Sequence, residues 1–303
     1  MVPFHGFTLD ILAAKGTILR RVEVTGGQFD GNVWQIETSA GPLHANGVVN
    51  CAGLFGDWID ALFLGRTDFT IKPRRGQFVV FDKAAARLLS TVILPVPDAR
   101  TKGVVLTPAI FGNLLVGPTA EETEDRTRAT VTRPELEMLL QRAAQILPAL
   151  SDMPVTATYA GLRPATEFKE YRIHHDPARN WVTVGGIRST SLTASLGIAT
   201  HAAQLLGVGP GRTPAASPRM PNLAEHLPRD WHSPGYGEIV CHCEIVTRRE
   251  IEAALASPFP PGDLGGLKRR TRCAMGRCQG FNCLGRIEEL TSGRLSPAVG
   301  VTP

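Results

Sequence analysis

The chain has 303 residues, 43% hydrophobic and 20% charged, with a formal net charge of +4. That length holds one large domain or two ordinary ones, and that balance is the composition of a globular protein. The mild charge argues against a dedicated nucleic-acid binder, no apolar run reaches the roughly 18 residues of a membrane span, and the N-terminal MVPFHGFTLDILAAKG lacks the basic region and apolar core of a signal peptide.

In chain order, FTLDILAAKG predicts a short first helix. ILRRVEVTGG and NVWQIETSAG predict short strands with glycine-rich turns. GVVNCAGL reads as a buried strand running into a tight turn, and GQFVVFD, GVVLTPA and GNLLVGPT as further strands bounded by Gly or Pro. Between them, Arg74 and Arg75 read as solvated. Pro134 to Ile146 predicts a helix, with proline at its start and Pro148 beyond its end. His174 and His175, beside Asp176 and Pro177, predict a turn rather than a catalytic base. WVTVGGI predicts a strand, and SLTASLGIATHAAQLLG a helix closed by Gly207. The composition then changes to a proline-rich linker over 207–236, followed by a second module over 237–292 and a tail over 293–303.

The second module opens with a capping box, Thr247 followed by Glu250, leading into the helix IEAAL. Asp263 caps a second helix, LGGLKRR, and Leu284 to Leu290 predicts a third, so the module is expected to be small and all-α. A core that small needs a staple. Its cysteines supply one: Cys241-x-Cys243, then 34 residues, then Cys278-x4-Cys283. Clustered thiols of this kind fit a reducing compartment and bind metal more often than they form disulfides. Four thiolates hold zinc or an iron–sulfur cluster. The one-residue gap is awkward for a zinc knuckle and suits two thiolates on one iron, although zinc in the same sulfurs stays open. Gly276 and Gly280 flank Cys278 and let backbone approach sulfur. Lys268, Arg269, Arg270, Arg272 and Arg277 are near enough in sequence to offset a dianionic core, unless they form a solvated face. Cys273 reads as a semi-buried bystander, and His242 as a non-ligand.

CHCEIVTRREIEAAL followed by LKRRTRCAMGRCQGFNC resembles the bacterioferritin-associated-ferredoxin-like [2Fe–2S] domain. The resemblance carries that family's four ligands onto Cys241, Cys243, Cys278 and Cys283.

The first 206 residues resemble the C-terminal portion of FAD-dependent oxidoreductases of the D-amino-acid-oxidase-like superfamily, in particular the anaerobic glycerol-3-phosphate dehydrogenase A-subunit and L-2-hydroxyglutarate oxidase type. The matching blocks are VVNCAGLFGDWID, IKPRRGQFVVFD, NLLVGPTAEETEDR, YAGLRPAT and GGIRSTSLTASLGIA. The resemblance implies an α+β oxidoreductase fold ahead of the cluster module. It places Ala52 and Gly53 against a dinucleotide. It brings the segment Gly185, Gly186, Ile187, Arg188, Ser189, Thr190, Ser191, Leu192 and Thr193 to the flavin ring, where a helix N-terminus favours negative charge. It makes Arg163 the grip on an anionic substrate group, with Arg188 a weaker second; no catalytic base is assigned. The cofactors implied are FAD and a [2Fe–2S] cluster. The activity implied is oxidation of a small anionic hydroxy substrate, such as glycerol 3-phosphate or a 2-hydroxy acid, with electrons passed through the cluster.

The sequence departs from the superfamily in one respect: it contains no GxGxxG, the motif that seats the pyrophosphate. Three expectations follow: a truncated product, a subunit whose partner carries the dinucleotide-binding half, or a scaffold that has lost flavin. Two other readings stand beside the enzyme, a non-catalytic electron-transfer subunit and a zinc-stabilised module on a relic domain. The expected location is the cytoplasm, at the inner membrane only through a partner.

Overall fold

The computed structural model describes residues 2–96, 103–209 and 228–299. The first part runs α1 (Val2–Ala13), β1 (Val24–Phe29), β2 (Trp34–Thr38), β3 (Leu43–Ala45), β4 (Val48–Asn50), α2 (Gly56–Leu64), β5 (Ile71–Phe81), β6 (Val105–Pro108), β7 (Leu114–Gly117), β8 (Glu121–Glu122), α3 (Arg133–Ile146), β9 (Val155–Thr166), β10 (Arg172–Asp176), β11 (Trp181–Gly185) and α4 (Ser191–Leu205). The second part runs β12 (Ile239–Cys241), β13 (Val246–Thr247), α5 (Arg248–Leu255), α6 (Leu264–Thr271) and α7 (Leu284–Thr291). Most of the predicted proline-rich linker lies outside the described residues.

Three sheets build the first part. β1, β2 and β3 form an antiparallel meander; β10 and β11 pair antiparallel, with β4 parallel to β11; and β5 pairs along its length with β9 on one side and with β7 and β8 on the other. The mixture of helices and sheets is the one the resemblance implies. β5 is longer than GQFVVFD suggests, and β9 is a strand the sequence patterns pass over. Pro73 and Pro164, which argue against strands, stand opposite each other in that ladder.

β5 alternates. Gln77, Val79 and Phe81 point inward and are at most 1% exposed, packing with Leu114, Val116 and Leu139 beneath α3. Arg74, Gly76 and Phe78 point the other way, onto an open face shared with Tyr159, Gly161 and Arg163 of β9. Arg74 and Arg75 are not simply solvated: they pair with Glu122 at 3.0 Å and Glu121 at 2.6 Å, which ties β8 to β5. His174 and His175 lie within β10, and the turn falls after them at residues 177–180.

The cluster module is not purely helical, because β12 and β13 form a short antiparallel ladder around the first cysteine pair. Its helices start where their caps predict: Thr247 and Glu250 complete a capping box, and Asp263 accepts the Gly266 N–H. Val240, Val246, Ile251, Leu255, Leu267 and Ile287 form its core. Burying six such side chains fully contributes on the order of 1.5–3 kcal/mol each before chain entropy is charged.

Candidate active site and metal centre

The turn after β4 is shaped by Asn50. Its amide donates to Gly56 O and to Asp60 Oδ1, both at 2.8 Å, while its oxygen accepts the Ala52 N–H at 3.1 Å. Asp60 is fully buried and also accepts from the Thr183 hydroxyl at 2.7 Å and the Trp181 indole at 3.1 Å. This network fixes the ends of β4 and β11 side by side, which brings Gly53 and Gly185–Gly186 to one place. A Cβ on Gly185 would fall 2.7 Å from Phe69, and Gly186 sits at φ +68°, so both positions require glycine. α4 follows with no side-chain cap at Thr190, leaving its first amides for a ligand.

A cavity of about 650 Å³ opens here, lined by Gly53, Gly185, Gly186, Ile187 and Ser191 together with Pro164. A Cβ on Gly53 would meet open space, whereas Gly185 and Gly186 are held against Phe69, Thr166 and Arg172, and the wall is mostly apolar, as a flavin ring asks. Of the other residues carried over from the resemblance, Ala52, Ser189, Thr190, Leu192 and Thr193 flank this wall without lining it. Arg188 turns its guanidinium onto the carbonyls of Thr166 and Phe168.

Arg163 projects from β9 onto the open face of the ribbon. Its Nη2 donates to Thr119 O at 2.7 Å and to Arg75 O at 3.3 Å, while its buried Nε has no partner. Gly76 makes room for it, since a Cβ there would lie 2.5 Å from Nη2. Among the described residues no carboxylate pairs with Arg163, so it is not a structural ion pair. Burial, with Arg74 nearby, shifts its pKa down. Four residues earlier in β9, on the same face, Tyr159 stacks on Phe78, centroids 4.7 Å apart and rings 8° from parallel. Tyr159 was not singled out from the sequence; the alternation in YAGLR, with Tyr159, Gly161 and Arg163 on one face, was the available signal.

The four sequence-predicted ligands meet as two facing pairs, Cys243 with Cys278 and Cys241 with Cys283. The pairing crosses between the two loops and does not follow the Cys-x-Cys step. Cys278 is shifted toward thiolate by the backbone N–H of Asn282 and then those of Gly280 and Phe281. Cys243 accepts the Cys278 N–H, yet desolvation and the neighbouring thiols push it up overall. Gly276 is essential to closure, because a Cβ there would stand 2.3 Å from Cys243 Cβ. Among the described residues no three His, Cys, Asp or Glu side chains converge as ligands of one metal ion do. Two thiol pairs with amides aimed at sulfur fit a two-iron core, which spreads its ligands over two metals. Cys273 is fully buried, not semi-buried, and burial raises its pKa to about 11.

Of the basic residues near the thiols, Arg272, Arg277 and Arg269 have carboxylate neighbours of their own, and Arg270 has carbonyls. Arg272 binds Glu244 at 2.8 Å, and Arg277 binds Asp82 through two bonds of 2.7 and 2.8 Å. Arg270 donates to the carbonyls of Gly266 and Phe259, and Arg269 lies 3.9 Å from Asp263.

Comparison with known proteins identifies both parts of the chain. Residues 5–205 match the family described as FAD dependent oxidoreductase, and residues 239–292 match the BFD-like [2Fe-2S] binding domain. A glycerol 3-phosphate dehydrogenase of Caloramator mitchellensis is 31% identical over 86% of this chain and 57% of its own length. The anaerobic glycerol-3-phosphate dehydrogenase subunit A1 of Haloferax volcanii is 25% identical over 93% of this chain and 54% of its own. The dithionite-reduced L-alpha-glycerophosphate oxidase from Mycoplasma pneumoniae, solved with FAD bound, superposes with a TM-score of 0.60 at 28% identity, over 68% of this chain and 55% of that one. The chain therefore spans a little over half the length of the relatives it matches.

Proposed function

The chain belongs to the FAD-dependent oxidoreductase family, and from that premise we propose that it is the substrate-facing, cluster-bearing part of a dehydrogenase that oxidises a small anionic hydroxy compound, glycerol 3-phosphate or a 2-hydroxy acid. The observation that carries this reading is Arg163, a half-buried guanidinium with an unpaired Nε and no carboxylate partner among the described residues, next in sequence to Pro164 of the cavity wall. A planar fork of donors suits a phosphate or carboxylate. The names of the relatives favour glycerol 3-phosphate.

In this reading Gly53, Gly185, Gly186, Ile187 and the first amides of α4 hold the flavin, and Tyr159 with Phe78 walls the substrate. FAD supplies two-electron oxidation of a C–H bond and can release electrons singly, as a [2Fe–2S] cluster accepts them. Arg163 orients the substrate by its anionic end, and the apolar wall keeps water from the reacting carbon. Cys241, Cys243, Cys278 and Cys283 hold the cluster. The partners in this reading are the small anionic substrate and an electron acceptor or partner subunit, and the assembly works in the cytoplasm. Among the described residues no helix is long and apolar enough to cross a membrane.

The test is to purify the chain without oxygen and measure iron, acid-labile sulfide, zinc and flavin. About two irons and two sulfides per chain are expected. Flavin bound to the chain alone supports an enzyme in its own right; flavin only with a partner supports an electron-transfer subunit. Zinc without sulfide would refute electron transfer through this module.

A further inference from the structure

One row of residues crosses three strands on the open face of the ribbon. Glu122 of β8, Arg74 of β5 and Arg163 of β9 stand opposite one another in register, with Arg74 in the middle. Residues placed so across a ladder have Cβ atoms about 5 Å apart, and like charges in that position repel. Glu122 offsets only one of the two arginines, through a bond from Arg74 Nη2 at 3.0 Å. It does so from the rim, with its side chain 73% exposed against 26% for Arg74. Arg163 is held from behind: its Nη2 donates to Thr119 O, and Thr119 is itself buried, its hydroxyl accepting the Gln77 N–H at 3.0 Å. Among the described residues Nη1 of neither arginine makes a hydrogen bond. After burial, the charge of Arg74 is the second cause that lowers the pKa of Arg163. The row therefore holds two neighbouring cations, free donors on both, and one exposed carboxylate.

We propose that Arg74 is the second half of the anion grip, and that the two guanidiniums together select a phosphate monoester over a carboxylate. A carboxylate has two oxygens, and one planar fork takes up both. A phosphate monoester has three terminal oxygens in a tetrahedral array and, above its second pKa of about 6, close to two negative charges. It accepts from two forks at once and relieves the repulsion between them. Glu122 is then a placeholder on Arg74, and an exposed ion pair of this kind costs at most about 1 kcal/mol to part. This role for Arg74 rests on the reading of Arg163 as the grip on the anionic end of the substrate. It adds a residue to that grip and chooses between the two substrate classes, phosphate and 2-hydroxy acid. Arg74 is a specificity-determining residue and takes no part in the chemical step.

The experiment titrates the full chain by calorimetry with glycerol 3-phosphate and, separately, with lactate, a 2-hydroxy acid of one carboxylate. It is run at about pH 8, where the phosphate is a dianion. The wild-type chain should bind glycerol 3-phosphate at least about tenfold more tightly than lactate. Arg74→Gln should remove most of that preference, weakening glycerol 3-phosphate about tenfold and lactate less than about twofold. Glu122→Gln, which frees Arg74 from its placeholder, should tighten glycerol 3-phosphate. Equal losses for the two anions in Arg74→Gln, or no loss for either, would overturn the role of Arg74 and leave Arg163 in place. Arg163→Ala tests the underlying grip: it should weaken both anions, and if it weakens neither, or if the wild-type chain takes up neither, the grip itself is overturned. If Arg74→Gln does not fold, Glu122→Gln decides, because an affinity for glycerol 3-phosphate that is unchanged or weaker there would remove Arg74 from the site.

Discussion

Arg277 grips Asp82 with two parallel bonds, Nε to Oδ2 at 2.8 Å and Nη2 to Oδ1 at 2.7 Å, across the boundary between the oxidoreductase part and the cysteine module. The Arg277–Asp82 pair has one exposed member, with side chains 72% and 5% exposed, whereas the Arg272–Glu244 pair is buried on both sides, at 7% and 3%. Exposed pairs contribute about 0–1 kcal/mol, while removing one partner of a buried pair costs about 3–5 kcal/mol. Glu244→Gln should therefore lower the thermal midpoint of the cluster-loaded chain clearly more than Arg277→Ala. Equal losses would show that the buried pair is not the stronger element of the contact.

Asp57 gives the acid limit of the oxidoreductase part. Burial by itself would raise its carboxyl, but the Arg126 fork and the Ile71 N–H outweigh it, and the pKa is lowered. A folded value below the unfolded one, about 3.9, gives stability that is present above that pH and lost as pH falls toward the folded value. The unfolding temperature should hold steady from neutral pH to about 5 and decline below about 4. Asp57→Asn should be destabilised near neutral pH and lose part of the acid slope. Thermal scans of both chains across pH 3–7 check this; parallel profiles would remove Asp57 from the account.

Cluster retention separates ligands from neighbours. Gly276→Ala forces a methyl group onto Cys243 and should cost about 1–3 kcal/mol while lowering iron content. Cys273→Ala should keep the full iron and sulfide, with a stability loss of about 1 kcal/mol for the small cavity. Iron analysis with the visible absorption spectrum decides both. Loss of iron in Cys273→Ala would place that thiol among the ligands.

Substrate affinity should depend on Arg163 and on the glycine beneath it. Charge-assisted hydrogen bonds contribute about 1.5–3 kcal/mol, so Arg163→Ala should weaken glycerol 3-phosphate binding about ten- to hundredfold in the flavin-loaded assembly. Arg163→Lys should recover little of this, lacking the planar fork. Gly76→Ala, which displaces the guanidinium, should produce a similar loss without touching the charge. Calorimetric titration reads all three, and unchanged affinity in Arg163→Ala would move the anion site elsewhere.

The helices of both parts were legible because their boundaries carry local signals: Thr247 with Glu250, Asp263, Pro134 and Gly207 each mark an end at the level of single residues. The cysteine spacing was equally plain. β9 was not, because Gly161 and Pro164 hide the alternation that pairing with β5 stabilises. The partner of Arg277 was also invisible, since Asp82 lies almost 200 residues away and no local pattern encodes a pairing at such range. Asn50, which organises the turn at the cavity, read only as part of a strand end.

The alternation of β5 has a consequence for how the gene can change. Its odd positions, Gln77, Val79 and Phe81, serve the core, and its even positions, Arg74, Gly76 and Phe78, serve the open face. Inserting or deleting one codon within the strand would exchange the two sets at once, putting an arginine into the core and the core's apolar groups onto the open face. Length changes of a single residue are therefore confined to the connections on either side, and the strand itself can vary only by substitution.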